Sequence, residues 1–212
     1  MKHLVHTLLF SILLGLTVSS CNHNKNRPQI QEESQVEENG KTIIIQPFAG
    51  FSPSLIDSVA QQLRKINPNI KINQPIELPL TAYNSHKTRF RADSLIRFLY
   101  TKVEPNSTVI GLTDKDISMT KGDIQDWGIM GLAYCPGKSC IISTYRLSKK
   151  NLYNQLYKLA IHELGHTQGL GHCEKDSSCF MRDANGYNHL DELHDFCWWC
   201  KPYLRGKGWT FD

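Results

Sequence analysis

The sequence lacks the excess of positive charge that binding to nucleic acid requires. Its 24 lysines and arginines are almost balanced by 20 aspartates and glutamates, and the formal net charge is only +4. No basic block with interleaved aromatic residues occurs, so we predict no nucleic-acid partner. No internal repeat is visible either, which argues against a repeat architecture.

The N-terminal apolar run is too short to span a bilayer. It covers residues 7–18, whereas a spanning helix needs about 20 apolar residues. It follows a short positive region and ends in Val18-Ser19-Ser20-Cys21, which resembles a bacterial lipobox. We therefore predict that residues 1–21 are a lipoprotein signal peptide ending at the lipidated Cys21. An ordinary cleaved signal with an incidental cysteine is the alternative.

The next segment, residues 22–40, is polar and rich in Asn, Gln and Glu. Because it has too few apolar side chains to order itself, we predict a disordered tether, with an exposed loop of the folded part as the alternative. Together the two segments predict a bacterial cell-envelope location, on the periplasmic or surface side, with membrane association by a lipid anchor. Residues 41–212 remain for one folded domain, which we predict to be monomeric.

Apolar periodicity in that domain predicts alternating strands and helices. The predicted strands cover 42–48, 70–80 and 108–112, the predicted helices cover 52–66 and 92–99, and 127–135 and 140–145 form a predicted hairpin. Ser148 is a candidate cap for a further helix, whose apolar stripe runs from Leu152 to Leu164. This order predicts a sheet covered by helices, an α/β layer.

The stretch HELGHTQGLGHC, which begins at His162, carries the strongest chemical signal. His162 and His166 are four residues apart and share one face of the predicted helix. Gly169 can adopt positive φ and turn the chain so that His172 becomes a third ligand. Three imidazoles can hold zinc and leave its fourth position open, as in catalytic sites, with Glu163 as general base. A core helix with two satisfied histidines is the alternative.

The residues after the third histidine extend this pattern. Cys173 follows at once, and then come Cys179, Met181 and the pair Cys197 and Cys200. The pattern resembles the archaemetzincin family of zinc peptidases, whose motif is HExxHxxGxxHCxxxxCxM followed by a distant CxxC. Five residues separate Cys173 from Cys179 where the family has about four, and fifteen separate Met181 from Cys197 where it has about seventeen, both in loops that tolerate length changes.

The resemblance is strong over residues 162–200 and weaker back to Trp127. It implies an α+β fold: an α/β-like N-terminal subdomain in which a twisted sheet lies on the active-site helix, and a smaller loop-rich C-terminal subdomain. It implies that His162, His166 and His172 hold a catalytic zinc and that Met181 forms an apolar methionine turn beneath them. It also implies a structural zinc, and therefore two zinc ions per chain, with four cysteine ligands: Cys173, Cys179, Cys197 and Cys200.

Two questions about the cysteines stay open at this point. Four thiolates suit a closed tetrahedral zinc site, but an oxidising envelope compartment favours two disulfides among the same four residues. Cys135 and Cys140 flank the predicted hairpin turn, and they either form a disulfide or are two unrelated thiols.

We predict a zinc metallopeptidase that acts on a peptide substrate. The alternatives are a zinc amidase or deacylase acting on a non-peptide amide, and a non-catalytic, zinc-stabilised, peptide-binding lipoprotein. Tyr145 and Tyr187 are candidates to stabilise the oxyanion, because a phenol could donate to it. The hairpin strand that ends near Tyr145 is a candidate sheet edge for strand addition by the substrate, with a protected edge as the alternative.

The other titratable residues near the motif carry weaker predictions. His194 could reach the cleft, although a solvent-exposed or hydrogen-bonded histidine is the default for it as for His86 and His189. Three acidic residues are predicted to form a solvated face and no metal site: Asp191, Glu192 and Asp195.

Overall fold

The structure is a computed structural model, and it describes residues 41–84, 86 and 88–211. The predicted signal peptide, Cys21 and the predicted tether lie outside the described residues. Within them, no helix combines the length and the apolar character needed to cross a membrane.

The described residues form nine strands and four α-helices. The strands are β1 (Thr42–Pro47), β2 (Ile70–Ile72), β3 (Tyr83–Asn84), β4 (Arg89–Arg91), β5 (Ser107–Thr113), β6 (Ile117–Lys121), β7 (Ile124–Ile129), β8 (Gly131–Ala133) and β9 (Ser139–Ser143). The helices are α1 (Pro53–Leu63), α2 (Ala92–Tyr100), α3 (Leu152–Thr167) and α4 (Cys200–Arg205). The fold is therefore mixed α/β, as predicted.

The larger sheet has the order β2-β1-β5-β9-β8. Neighbouring strands are parallel except at one edge, where the short β8 runs antiparallel to β9. Side chains alternate between its faces, as strand geometry requires. Ile44, Val109 and Ile141 belong to the core on the face of α2, whereas Ile43, Ile110 and Ile142 belong to the core that includes α1 and α3. The result is a sheet between two helical layers.

A smaller sheet has the order β3-β4-β6-β7. Its pairs are antiparallel except β4 and β6, which are parallel. Strands β7 and β8 are separated only by Met130, so the chain passes from the smaller sheet directly to the edge of the larger one. This passage brings both sheets to one side of the cleft described below.

Most predicted elements agree with the structure, but two do not. The predicted strand 70–80 ends at Ile72, and the chain continues irregularly with a single bridge from Ile76 to Phe48. The predicted strand 127–135 is divided, because β7 and β8 belong to different sheets. The predicted sheet edge is also wrong: β9, the strand that ends near Tyr145, lies between β5 and β8, and β8 forms the edge.

The region after Gly169 is rich in loops, as predicted, and contains one 3₁₀ turn and α4. It has no core of its own among the described residues. Its buried side chains, including Phe196, Leu204 and Trp209, belong to the same apolar cluster as α1 and α3. The C-terminal region is thus packed as part of the domain core.

Candidate active site

Helix α3 carries two of the three histidines and is buried on nearly every side. His162 and His166 lie one turn apart on it, with their Nε2 atoms 3.1 Å from each other. Met181 is fully buried beneath this segment: a Cβ at Gly165 would lie 2.6 Å from its Sδ. Glycine at this position therefore lets the thioether pack directly on the helix, where a methionine turn was predicted.

The third histidine, His172, follows the turn that was predicted at Gly169. Gly169 follows the end of α3 with φ of +102°, a conformation that favours glycine. The chain then reverses, and the ring of His172 lies 5.5 Å from that of His162 and 4.9 Å from that of His166, between centroids. All three histidines offer a nitrogen within 4.8 Å of the others. The structure thus brings the predicted triad together.

Backbone carbonyls orient the first two imidazoles. His162 donates from Nδ1 to the carbonyl of Phe180 at 2.6 Å, and His166 donates from Nδ1 to the carbonyl of Leu170 at 2.7 Å. Each Nε2 is then left with a lone pair that faces the cleft. Desolvation and the neighbouring His166 lower the pKa of His162 to about 3, and desolvation also lowers the pKa of His166, so both rings are neutral.

This donor set fits a zinc ion. Two lone pairs that face each other at 3.1 Å repel unless a proton or a cation lies between them. Tetrahedral zinc with bonds of about 2.05 Å separates two nitrogens by about 3.3 Å, close to the distance in the structure. Asp183 lies near the third ring, with its Oδ2 3.6 Å from Nδ1 of His172. Sequence reasoning missed Asp183, since nothing in its spacing marks it.

Glu163 lies beside the triad, and its carboxyl group is buried against the edge strand. Only 5% of the residue is exposed, and burial raises the pKa of its carboxyl group to about 8. A Cβ at Gly131 would lie 2.5 Å from Oε1, so the carboxyl group contacts the bare backbone of β8. This contact could not be predicted, because it joins residues on a strand and a helix far apart in the chain.

A cleft of about 680 Å³ opens in front of the triad and Glu163. Strands β7 and β8 form one wall, and the loop from Arg182 to Leu193 forms the other. Arg146 also lines it, fixed by two hydrogen bonds of 2.8 Å to the buried carboxylate of Asp116. Neither residue was predicted to belong to the site.

Some of the other residues considered in the sequence line the cleft, and others do not. Tyr187 lines it, whereas Tyr145 does not. His194 also lies outside it, while His189 lines it and pairs with Glu192 at 2.9 Å. The other two residues of the predicted acidic face are exposed, as expected, with Asp195 paired to Lys201.

The four C-terminal cysteines form a second, closed cluster. Their sulfurs lie within 4.8 Å of one another, and all four residues are buried. Sγ of Cys173 is 3.6 Å from that of Cys197, and Sγ of Cys179 is 3.8 Å from that of Cys200. These distances exceed a disulfide bond of about 2.05 Å and match the separation of about 3.8 Å in a tetrahedral zinc–thiolate site.

The cluster is also electrostatically suited to thiolates. The amides of Met181 and Cys197 donate to Sγ of Cys179 at 3.5 and 3.4 Å. Burial nevertheless raises the pKa of Cys179 to about 11, so a cation is needed to keep the sulfurs deprotonated. The two spacings that depart from the motif do not prevent convergence. Cys135 and Cys140 are free thiols, the first exposed and the second buried.

Comparisons with known proteins agree with this geometry. The model of peptidase family M54 matches residues 42–205. An archaemetzincin of Nanoarchaeum equitans is 34% identical over 134 residues, which are 63% of this chain and 72% of the relative. An archaemetzincin of Archaeoglobus fulgidus is 29% identical over 168 residues, 77% of this chain and 98% of the relative.

Solved structures give the same result. The crystal structure of the Methanopyrus kandleri archaemetzincin superposes with a TM-score of 0.69 at 27% identity, covering 82% of this chain and 98% of that one. The A. fulgidus archaemetzincin, crystallised with malonate, gives 0.65 at 28% identity and covers 76% and 99%. The chain therefore belongs to peptidase family M54 and is a zinc metallopeptidase of the archaemetzincin family.

Proposed function

We propose that the chain hydrolyses peptide bonds at the triad, with Glu163 as general base. The observation that carries this proposal is the position of Glu163, whose carboxyl group lies beside three converging imidazoles in an open cleft. A zinc ion that only stabilised a binding module would need no carboxyl group there. Membership in a peptidase family favours a peptide substrate over the non-peptide amide of the alternative hypothesis.

In this proposal His162, His166 and His172 hold the catalytic zinc. When bound, the zinc supplies Lewis acidity, which lowers the pKa of a coordinated water toward 7 and polarises the scissile carbonyl. The pKa of the buried Glu163 carboxyl group would be lowered by a bound cation beside it, and the ionised Glu163 accepts the proton of the attacking water and passes it to the leaving amine. Tyr187, on the cleft wall, is our candidate donor to the oxyanion.

We further propose a second zinc at the four-cysteine cluster, with a structural role. The sulfur separations and the full complement of four protein ligands support this assignment, since a closed site leaves no position for water. The cluster ties the loop after His172 to α4, in a region with few regular elements.

Replacing Glu163 by Gln tests the proposed mechanism. The amide keeps the shape of the side chain but cannot accept the proton, so kcat should fall by about 10²–10⁴-fold while zinc content stays the same. Peptide hydrolysis and bound metal are measured on the same samples. Glu77→Gln, which changes an exposed glutamate away from the cleft, is the matched control. Hydrolysis by Glu163→Gln at the control rate would rule out this general base.

We also propose that the protein acts at the cell envelope, lipid-anchored through Cys21. The support is the lipobox-like Val18-Ser19-Ser20-Cys21 after a short apolar run. Mass spectrometry of the N-terminal peptide from the native host checks this proposal. We expect a diacylglyceryl cysteine at position 21, and an intact Met1 or an unmodified Cys21 would contradict it.

A further inference from the structure

Two tryptophans are exposed at the tip of the Cys197–Cys200 turn. Trp198 is 72% exposed and Trp199 is 58% exposed, with their rings edge to face and 5.8 Å apart between centroids. Tryptophan normally buries most of its large apolar surface. The flanking Cys197 and Cys200 are buried in the four-cysteine cluster, so the turn that carries the exposed indoles is anchored by buried residues at both ends.

The exposed aromatic surface continues along α4. Tyr203 lies in α4, four residues after Trp199, which caps the start of the helix. Tyr203 is 40% exposed, and its hydroxyl donates to the carbonyl of Gln168 at 3.0 Å. Nζ of Lys207 lies 5.5 Å from its ring centroid. We call the surface formed by Trp198, Trp199, Tyr203 and Lys207 the aromatic strip.

The charge around the aromatic strip is mostly positive, although Glu174 and Lys175, one of each sign, border a small hollow beside Trp199. Residues 196–211 contain Lys201, Arg205 and Lys207 but no aspartate or glutamate. Lys201 pairs with Asp195 at the border of this segment. Arg205 and Lys207 are exposed, and neither forms an ion pair with any residue that the structure describes. The guanidinium of Arg205 lies 5.7 Å from the ring centroid of Phe211, and Lys207 lies over Tyr203, so both cations rest on aromatic faces without a described carboxylate that neutralises them and are available to an anionic partner.

We propose that the aromatic strip docks onto a membrane surface that contains anionic lipids. Indole and phenol rings prefer the headgroup region of a bilayer, where one part of the ring is apolar and another can hydrogen-bond. Lysine and arginine beside them are attracted to negatively charged headgroups. The proposal goes beyond peptide hydrolysis and uses only described residues, so it stands apart from the predicted lipid at Cys21.

The aromatic strip lies next to the active site. Trp199 and His172 border the same small hollow of about 190 Å³. The residues just after His172 and two cysteines of the cluster, Cys173 and Cys200, also line it. Docking through Trp199 would therefore hold the loop that carries the third histidine close to the lipid surface. A peptidase placed in this way acts on chains that lie near the membrane.

Tryptophan fluorescence in the zinc-loaded full chain tests the proposal. The protein is reconstituted with vesicles of phosphatidylcholine and phosphatidylglycerol that carry bromine on their acyl chains, which quenches indoles at the bilayer surface. We expect strong quenching in the wild type and loss of most of the quenchable emission in Trp198→Phe/Trp199→Phe. Trp209→Phe is the control, because that indole is only 4% exposed, and it should leave the quenchable emission in place.

Charge reversal tests the electrostatic part with the same readout. Arg205→Glu/Lys207→Glu should reduce quenching by at least about threefold, as should omission of phosphatidylglycerol. Lys149→Glu/Lys150→Glu removes two exposed lysines at the other end of α3 and should have little effect. Hydrolysis of a soluble peptide shows that each variant is folded. If the wild type is not quenched, or the Trp198/Trp199 variant is quenched as strongly, the strip does not meet lipid and the proposal fails.

Discussion

The position of the Glu163 carboxyl group depends on glycine at residue 131, which has no side chain. The carboxyl group occupies the space in which any other residue at position 131 would place its Cβ, 2.5 Å from Oε1. Real Cβ atoms do not approach oxygen this closely, so a larger residue must displace the carboxyl group or the strand. Because proton transfer depends on the distance between donor and acceptor, such a shift acts on the chemical step and leaves metal binding intact.

We therefore expect Gly131→Ala to lower kcat by about 100-fold, since a shift of about 1 Å in a catalytic group has an effect of this size. Zinc content should not change, because the atoms that a Cβ at residue 131 would meet first all belong to Glu163, which is not one of the three proposed ligands. Gly171→Ala is the matched control: a Cβ there meets no atom within 4 Å. Steady-state kinetics and metal analysis of both variants check the prediction. Equal kcat for the two would show that the carboxyl group adjusts without cost.

The residues that could be predicted from the sequence are those with fixed local spacing. His162 and His166 follow from helix periodicity, and Gly169 from the need for positive φ. Gly131 and Arg146 could not be predicted, because each reaches the site from elements outside the motif, and Asp183 could not because no motif spacing marks it. No single sequence specifies such contacts by spacing alone.

At the scale of elements, the edge of the larger sheet shows why strand order is harder to predict than strand location. The sequence contains two apolar runs joined by Pro136 and Gly137, and both were correctly expected to contain strands. Which of them is the edge depends on whether β5 pairs with the first or the second. β9 pairs with β5, and it is buried throughout, whereas β8 is only partly buried and lines the cleft. Free backbone groups on β8 are thus where an extended peptide could add a strand.

The four-cysteine cluster joins the loop after His172 to α4, in a region with few regular elements. We expect two zinc ions per chain in the wild type and one in Cys200→Ser, because three thiolates and a hydroxyl hold the ion poorly. A loss of about 3 kcal/mol would lower the Tm by about 6–12 °C in a domain of this size. Metal analysis and thermal unfolding measure the two effects.

Cys135→Ser is the control for that substitution. Cys135 is exposed and takes no part in the cluster, and its single hydrogen bond, to the carbonyl of Leu170, can be kept by serine. It should leave zinc content and Tm close to the wild-type values. A wild-type Tm and two zinc ions in Cys200→Ser would remove the case for a structural zinc at the cluster.

At the scale of the whole molecule, one apolar core joins the sheet, the active-site helix and the C-terminal region. Phe180, Phe196 and Trp209 come from loops, yet they belong to the same cluster as Ile161 and Leu164 of α3. Scattered aromatics in an irregular segment show no periodicity, so this shared core could not be predicted from the sequence, and the family resemblance implied only a smaller, loop-rich C-terminal subdomain. Because this core is continuous, loss of zinc from the cleft need not unfold the domain. The two proposed metal sites also differ in how exposed their residues are.

The two sites should therefore lose zinc at different chelator concentrations. The side chain of His172 is 45% exposed and its site keeps an open position, whereas the four cysteines are at most 9% exposed and form a closed set. Titration with a soluble chelator should remove one zinc and abolish peptide hydrolysis while far-UV circular dichroism and Tm stay near their starting values. One equivalent of zinc should then restore activity, because the backbone carbonyls of Phe180 and Leu170 keep two of the imidazoles oriented. Loss of activity only in step with unfolding would mean that the cleft zinc also holds the domain together.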